Sequence, residues 1–448
     1  MMAAVLLVTL SQQPAAVPPA DTGVGRPCKV IIDSVGRQAQ QVEVRRGETN
    51  VFAGGGVLAH CEGTGSTLVA DSVAWFAGVG RFDMIGQKNP VHIRDTAITL
   101  DATTAAYFLR QERLDAHRDV VAHNRTTGSV LRGPNLTYYR AAKGIRDTLE
   151  MYATSRPTIE YHATADSGEP YVIVGDRVRF KGNDRVWGGG QVTIDRSDFA
   201  ARGDSMQLDQ ARGYGLLIGT PRVEGKGARA YALTGTRIEL GLQGREIHLV
   251  KALGRGVATG ADWRLTADTI HLRLDRKKLQ QAFAWGPKDS VRAHATSTLN
   301  TIQADSLALD LPDEVLTEAR SFGHAYSTSR KDSTKTARVN WIAGDSLTAR
   351  WTQHADSSGV AKSRLHQLVA RGSARSLTHL EGGRDTTTGP SLDYSRGAVI
   401  DIVLARDKVD RVTVTGRADG VHLEPRPPVA DTTKKKAAAD TSTKAAGR

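Results

Sequence analysis

Thr266 to Gly286 reads TADTIHLRLDRKKLQQAFAWG. Ile270, Leu272 and Leu274 alternate with His271, Arg273 and Asp275. A period of two places one set on a buried face and the other in water, as in a strand. A basic turn follows at Arg276 to Lys278, and a second strand ends in Ala-Trp-Gly. The stretch predicts a β-hairpin.

The hairpin recurs. Asp268, Leu279 and Gly286 are separated by 11 and 7 residues. Asp305, Leu316 and Gly323 keep both offsets, as do Thr236, Ile247 and Gly254. Asp345, Leu365 and Gly372 stretch the first gap to 20 and keep the second at 7, so HADSSGVAKS reads as a longer loop. Val409 to Gly416 retains only the second half, and weaker copies begin at Asp71 and Asp204. The starts at 204, 236, 268, 305 and 345 lie 32, 32, 37 and 40 residues apart. Such a period predicts stacked units, each packing on its neighbours. The recurring Asp, followed by Ser or Thr, reads as a turn cap at a strand start.

Composition agrees with strands and turns. Of 448 residues 45 are Gly, 40% are apolar and only 5% aromatic. Lys and Arg number 60 against 48 Asp and Glu, a net charge of +12 that favours anionic partners. The basic residues are spread over turns and outer faces rather than gathered in one block, which fits a solvated surface. No apolar run is long enough to span a bilayer as a helix.

Residues 1–24 form a signal-like leader, an apolar core followed by a Pro-rich spacer without a positively charged start, and export is the expectation. Cys28 follows Gly-Arg-Pro, which is not a lipid-acceptor pattern. In an exported chain Cys28 and Cys61 suggest a disulfide closing the first rung; a metal site using His60 is the alternative. HATADSGEP at 162 to 170 either divides two sub-arrays, 25–165 and 166–425, or is one large turn. Residues 325 to 340 and 381 to 390 read as polar, strand-poor loops, and Gly188 to Gly190 as a tight turn between strands. The tail from 426 to 448 is rich in Lys, Ala and Thr and cannot bury a core.

The strand ADSVAW at 70 to 75, with GDSMQLD at 203, ADTIHLRLD at 267, ADSLALD at 304 and GDSLTAR at 344, resembles the OstA-like domain. That family includes the lipopolysaccharide-transport bridge LptA, its relative LptC and the N-terminal domain of LptD. The resemblance covers roughly Val51 to Leu423. The chain is longer than a typical bridge protein and carries no following membrane barrel. The resemblance implies an all-β fold: a β-jellyroll, or stacked-hairpin β-solenoid, of two facing sheets. About ten rungs at ~4.8 Å would extend on the order of 50 Å. The inward residues would form a continuous apolar trough for acyl chains: Val73, Trp75, Met206, Leu208, Ile238, Leu240, Ile270, Leu272, Leu274, Leu307, Leu309, Leu347 and Trp351. It further implies lipopolysaccharide or a related glycolipid as ligand, and head-to-tail strand pairing with other OstA-like proteins or a second copy. The place would be the periplasm, between inner and outer membranes. No cofactor, metal or nucleic acid is expected.

Catalytic groupings are not evident: there is no H-E-x-x-H, G-x-S-x-G or G-x-x-x-x-G-K-S/T. An enzyme is therefore not expected. Two rival readings are a structural or adhesive solenoid with a dry core, and a polysaccharide-acting β-helix enzyme. The last would need carboxylates clustered on consecutive rungs of a cleft, whereas here they recur at turns.

Overall fold

The structure, a computed structural model, describes residues 28–424 apart from 63, 163–167, 228–229, 244–245, 262, 287–291, 331–337, 356–360, 381–389 and 406–407. The leader at 1–24 and the tail at 426–448 lie outside the described residues, as does the middle of the break at 162 to 170. The protein is all-β, with 32 strands and two short 3-10 turns among the described residues. The chain divides into two compact units, the first ending near Ser155 but including residues 179–182.

The first unit contains β1 (Lys29–Val35), β2 (Gln38–Arg45), β3 (Glu48–Glu62) and β4 (Thr67–Phe76). β5 (Arg81–Ile85), β6 (Val91–Arg94), β7 (Ile98–Ala102) and β8 (Thr104–Phe108) follow. β9 (Arg113–Asn124), β10 (Val130–Tyr139) and β11 (Glu150–Thr154) come next. The long strands belong to two ladders at once. β4 pairs with β5 through Ser72–Phe76 and with β6 through Thr67–Val69. β9 does the same with β8 and β7, so β4, β5, β8, β9, β7 and β6 close a six-strand ring.

The second unit starts with β12 (Thr158–Tyr161), β13 (Tyr171–Val174), β14 (Arg177–Lys181, shared with the first unit) and β15 (Arg185–Asp195). Then come β16 (Phe199–Asp209), β17 (Tyr214–Ile218), β18 (Arg222–Gly225), β19 (Tyr231–Thr234), β20 (Arg237–Gln243) and β21 (Glu246–Thr259). They are followed by β22 (Trp263–Asp275), β23 (Lys278–Trp285), β24 (Ala293–Ser297), β25 (Asn300–Ala304) and β26 (Ser306–Asp310). β27 (Glu318–Arg330), β28 (Val339–Ala355), β29 (Ala361–Leu380), β30 (Ser391–Ala405), β31 (Lys408–Thr415) and β32 (Asp419–Leu423) end it. The same rule holds: β22 pairs with β23 on one side of its bend and with β24 on the other.

On alternate long strands the bend has one local cause: two consecutive residues adopt positive φ at Gly190–Gln191 in β15, Gly254–Arg255 in β21, Gly323–His324 in β27 and Gly372–Ser373 in β29, and Gly219–Thr220 do the same between β17 and β18. Two left-handed residues turn the chain without ending its pairing, as a bulge does. Three expectations are corrected here. Of the repeated Asp residues, Asp305 directly precedes β26, as expected, but Asp268 lies inside β22 and Asp345 inside β28, at the bend. Gly188 to Gly190 lie within β15 rather than in a turn between strands, because the register merely shifts between Gly189 and Val192. The insertion HADSSGVAKS continues the hairpin at both ends, with His354 opposite Lys362 and Ala355 opposite Ala361, and Ala325–Arg330 belong to β27. Short-range polarity does not prevent pairing on an outer face. Residues 331–337 and 381–389 of the two expected loops are outside the described residues.

The core sits between the ladders. Met206, Ile238, Ile270, Leu307 and Leu347 fall in one cross-strand row, with Leu217, Ala252, Ala284, Ser321 and Ala370 at the intervening positions. From Ile238 onward large and small side chains alternate along it, which lets successive strands interdigitate. Leu208, Leu240, Leu272 and Leu309 fall in the next row on the same face.

Candidate functional site

The inward-facing candidates separate by burial. Val73, Met206, Ile238, Leu240, Ile270, Leu272, Leu307, Leu309 and Leu347 are buried, at 5% exposure or less. Trp75, Leu208, Leu274 and Trp351 are half-buried. These four lie nearer the hairpin turns, where the ladders part. The interior is not uniformly apolar. Toward β27–β30 it carries buried Ser321, Ser327, Ser376 and Thr378, and Ser321 donates to the Leu347 carbonyl at 3.3 Å. The expected continuous trough is thus interrupted there by small hydroxyl side chains.

The second unit holds an apolar recess of about 540 Å³, counting space open to solvent. Tyr161, Tyr171, Ile173, Ile194 and Phe199 line it from one ladder; Met206, Leu208, Leu217, Leu240, Leu242 and Ile247 line it from the other. Of the expected trough residues only Met206, Leu208 and Leu240 reach it. A cluster of paired charges stands beside its Tyr171. Arg196 donates to both carboxylate oxygens of Asp198, at 2.5 and 2.9 Å, and its guanidinium lies 4.2 Å from the centre of the Tyr171 ring. Lys277 stands 3.6 Å from Asp198, and Lys226 donates to the Arg196 carbonyl at 3.0 Å and lies 3.4 Å from Asp195. Burial pushes the Asp198 carboxyl up, but the hydrogen bond and charge of Arg196, with Lys277, outweigh it and hold it below the usual range.

The first unit holds a separate recess of about 580 Å³, lined by Val30, Leu68, Phe82, Met84, Ile98 and Leu114. Polar side chains from opposing turns meet at its edge. Glu112, following β8, accepts from Arg140 at 2.7 and 3.0 Å, from the Cys28 backbone N–H at 2.7 Å, and from the Tyr107 hydroxyl. Asp95, between β6 and β7, accepts from Tyr138 at 3.0 Å and Ser66 at 2.7 Å. Glu112 is 1% exposed, Asp95 3% and Arg140 7%. Burial raises the Tyr138 hydroxyl far above its ordinary value, and the Asp95 charge adds to it. Burial disfavours the Arg140 charge, but Glu112 more than restores it. These residues form a latch between the two ladders. Local sequence does not reveal it, because residues bonded to each other in it lie up to 84 positions apart.

Cys28 and Cys61 form a disulfide, pinning β1 to β3. His60, the alternative metal ligand, instead pairs with Asp33 at 2.7 Å. Among the described residues no group of three or more His, Cys, Asp or Glu is placed to hold a metal. Among the described residues the outermost strands have one neighbour each: β1 and β2 pair with β3, and β31 and β32 with β30. Val44, Val421 and Leu423 on them are exposed at 56%, 54% and 57%.

Compared with known proteins, the chain matches no family model, and a search of curated proteins returns no match.

Proposed function

We propose that this chain is a non-enzymatic lipid-transfer protein of the periplasm, a stacked-hairpin β-jellyroll of about ten rungs with two facing sheets. In this reading the interior takes the acyl chains of lipopolysaccharide or a similar glycolipid, and the chain bridges inner and outer membranes for outer-membrane assembly. The observation that carries it is the second unit's recess: apolar walls from both ladders, a partly open side, and Arg196, Lys226 and Lys277 beside it. Each buried CH₂ stabilises by about 0.8 kcal/mol, so an amphiphile gains from its chains while its phosphates meet the Arg and Lys side chains beside the recess. The single-neighbour strands at the two ends supply unpaired N–H and C=O groups for head-to-tail strand addition by a second copy or a related protein.

A second reading, a structural envelope solenoid, is favoured by one observation. Ile238, Ile270 and Leu272 have no exposed surface, so much of the interior is already filled by protein. Mass spectrometry of an organic extract of the protein, purified without detergent, decides between them. A stoichiometric multi-chain glycolipid supports transfer; an extract free of lipid leaves the structural reading.

A further inference from the structure

Gly219, Gly254, Gly286 and Gly323 are each preceded by a large apolar residue: Ile218, Leu253, Trp285 and Phe322. The strand registers place these four in one row. Ile218 lies opposite Arg237, which lies opposite Leu253; Leu253 lies opposite Thr269, and Thr269 opposite Trp285. Trp285 then lies opposite Ser306, and Ser306 opposite Phe322. Each is the chain neighbour of a core-row residue, so this row faces outward. Ile218, Trp285 and Phe322 are 43%, 37% and 51% exposed, and Leu253 is half-buried. Large apolar side chains therefore recur outside the sheet on every second strand, about 9.6 Å apart. Arg237, Thr269 and Ser306 occupy the strands between. None of the four apolar residues lines the recess.

Surface apolar residues scattered singly need no explanation, but an ordered series does. Four side chains in single file cannot bury the ~800 Å² per partner of a stable protein interface. In and beside the row acidic groups stand with basic ones: Arg237 with Glu239, and His324 with Asp305 at 3.0 Å. It is not the basic surface that an anionic membrane attracts. A single file with a constant step fits a linear polymer of the same step. A β-1,4-linked pyranose chain advances per sugar by nearly the distance between two strands, and each sugar is turned over relative to the last. Alternate sugars thus repeat at nearly the spacing of alternate strands. The C–H faces of such sugars stack on aromatic rings, and their hydroxyls seek polar side chains at the ring edges. Trp285 presents an indole whose other neighbour is His271, packed edge-on with centroids 4.6 Å apart.

We propose that this row is a platform for an uncharged β-1,4-linked glycan running across the strands, with alternate sugars stacked on Trp285 and Phe322 and the sugar between them over Ser306. Leu253 and Ile218 continue the platform toward β17. The site lies outside the recess, so it holds the chain on a polysaccharide whether or not lipid enters the interior.

The test is isothermal titration calorimetry of the full chain with cello- and chito-oligosaccharides of increasing length. A disaccharide reaches one ring and a trisaccharide reaches both. In at least one series the trisaccharide should bind about tenfold more tightly than the disaccharide. Phe322→Ala should abolish that gain, and so should Trp285→Ala, whereas Trp285→Phe should keep most of it. All three side chains project outward, so thermal midpoints should stay at the wild-type value. Should Trp285→Ala unfold, the more exposed Phe322→Ala carries the test. No binding of either series overturns the proposal. So does equal binding of α-1,6-linked dextran, or a trisaccharide gain that survives Phe322→Ala. Binding to phosphatidylglycerol vesicles that is lost in Trp285→Ala, with no oligosaccharide binding, would make the row a membrane contact instead.

Discussion

The Asp305 backbone N–H donates to the Gly323 carbonyl at 2.9 Å, and the Asp305 carboxylate occupies the space that a Cβ on Gly323 would need. The first and last residues of the sequence repeat therefore touch. Thr236 and Gly254 are joined the same way, through N–H to carbonyl at 2.9 Å, and Asp345 stands over Gly372. The summed offsets of 11 and 7 within one copy are thus the distance along the chain from one bend to the residue that packs on it.

Gly323→Ala tests this relationship. Gly323 has φ 74°, and an added Cβ meets Asp305. The left-handed conformation alone costs an L-residue about 1–2 kcal/mol, and displacing the carboxylate adds to it. The urea midpoint should fall with an unchanged slope. A variant as stable as wild type would mean the bend does not depend on this contact.

The latch of the first unit should be costly to break. Glu112→Gln leaves the Arg140 charge buried without its anion, and losing one partner of a buried pair costs about 3–5 kcal/mol. Replacing both together, Glu112→Leu with Arg140→Met, should cost less than Glu112→Gln alone. Chemical denaturation of all three chains checks the order; a double variant weaker than the single contradicts it.

Cys28 and Cys61 close a separation of 33 residues, for which chain entropy gives roughly 3–4 kcal/mol. Cys28→Ser with Cys61→Ser should lower the thermal midpoint. It should also raise hydrogen exchange in β1, which pairs with β3 and has no second neighbour among the described residues. Exchange confined to the second unit would refute the local role of the bond.

Acidification should destabilise the fold in two steps. His271 is held below its ordinary value of 6.5, first by burial and then by the charges of Lys251 and Arg273. Asp198 is held below 3.8: burial opposes this, and Arg196 and Lys277 prevail. In both cases the unfolded chain takes up its proton first as pH falls. His271 therefore costs nothing at pH 8, and stability begins to decline below about 6.5. The Asp198 contribution is lost later, below its unfolded value. The urea midpoint measured from pH 8 to 3 should show both declines, and His271→Gln should remove only the upper one. A midpoint that rises between pH 7 and 5 would reverse the sign and sink the argument.

Much of the architecture is legible in the alternation of Ile270, Leu272 and His271 and in the spacing of Asp305 from Gly323. Side-chain direction in a strand is set by the backbone itself, so a period of two shows which residues share a face. A long period with constant offsets predicts repeated hairpins. The same local signal placed Asp305, just before β26, but not Asp268 and Asp345, which lie inside long strands. Seen along the chain, an Asp followed by Ser looks like a cap; only the neighbouring strand shows that Asp305 and Asp345 pack over a glycine.

The sites were not legible. Glu112, Arg140, Asp95 and Tyr138 come together from turns far apart in the chain, and a buried charge is defined by what surrounds it. The sequence by itself determined that the chain is all-β, built of strands with one apolar face, because periodicity is a property of neighbours along the chain. Tertiary structure alone decided where the interior is filled, where it is open and which polar groups close it, because those depend on distances between ladders that no local pattern encodes.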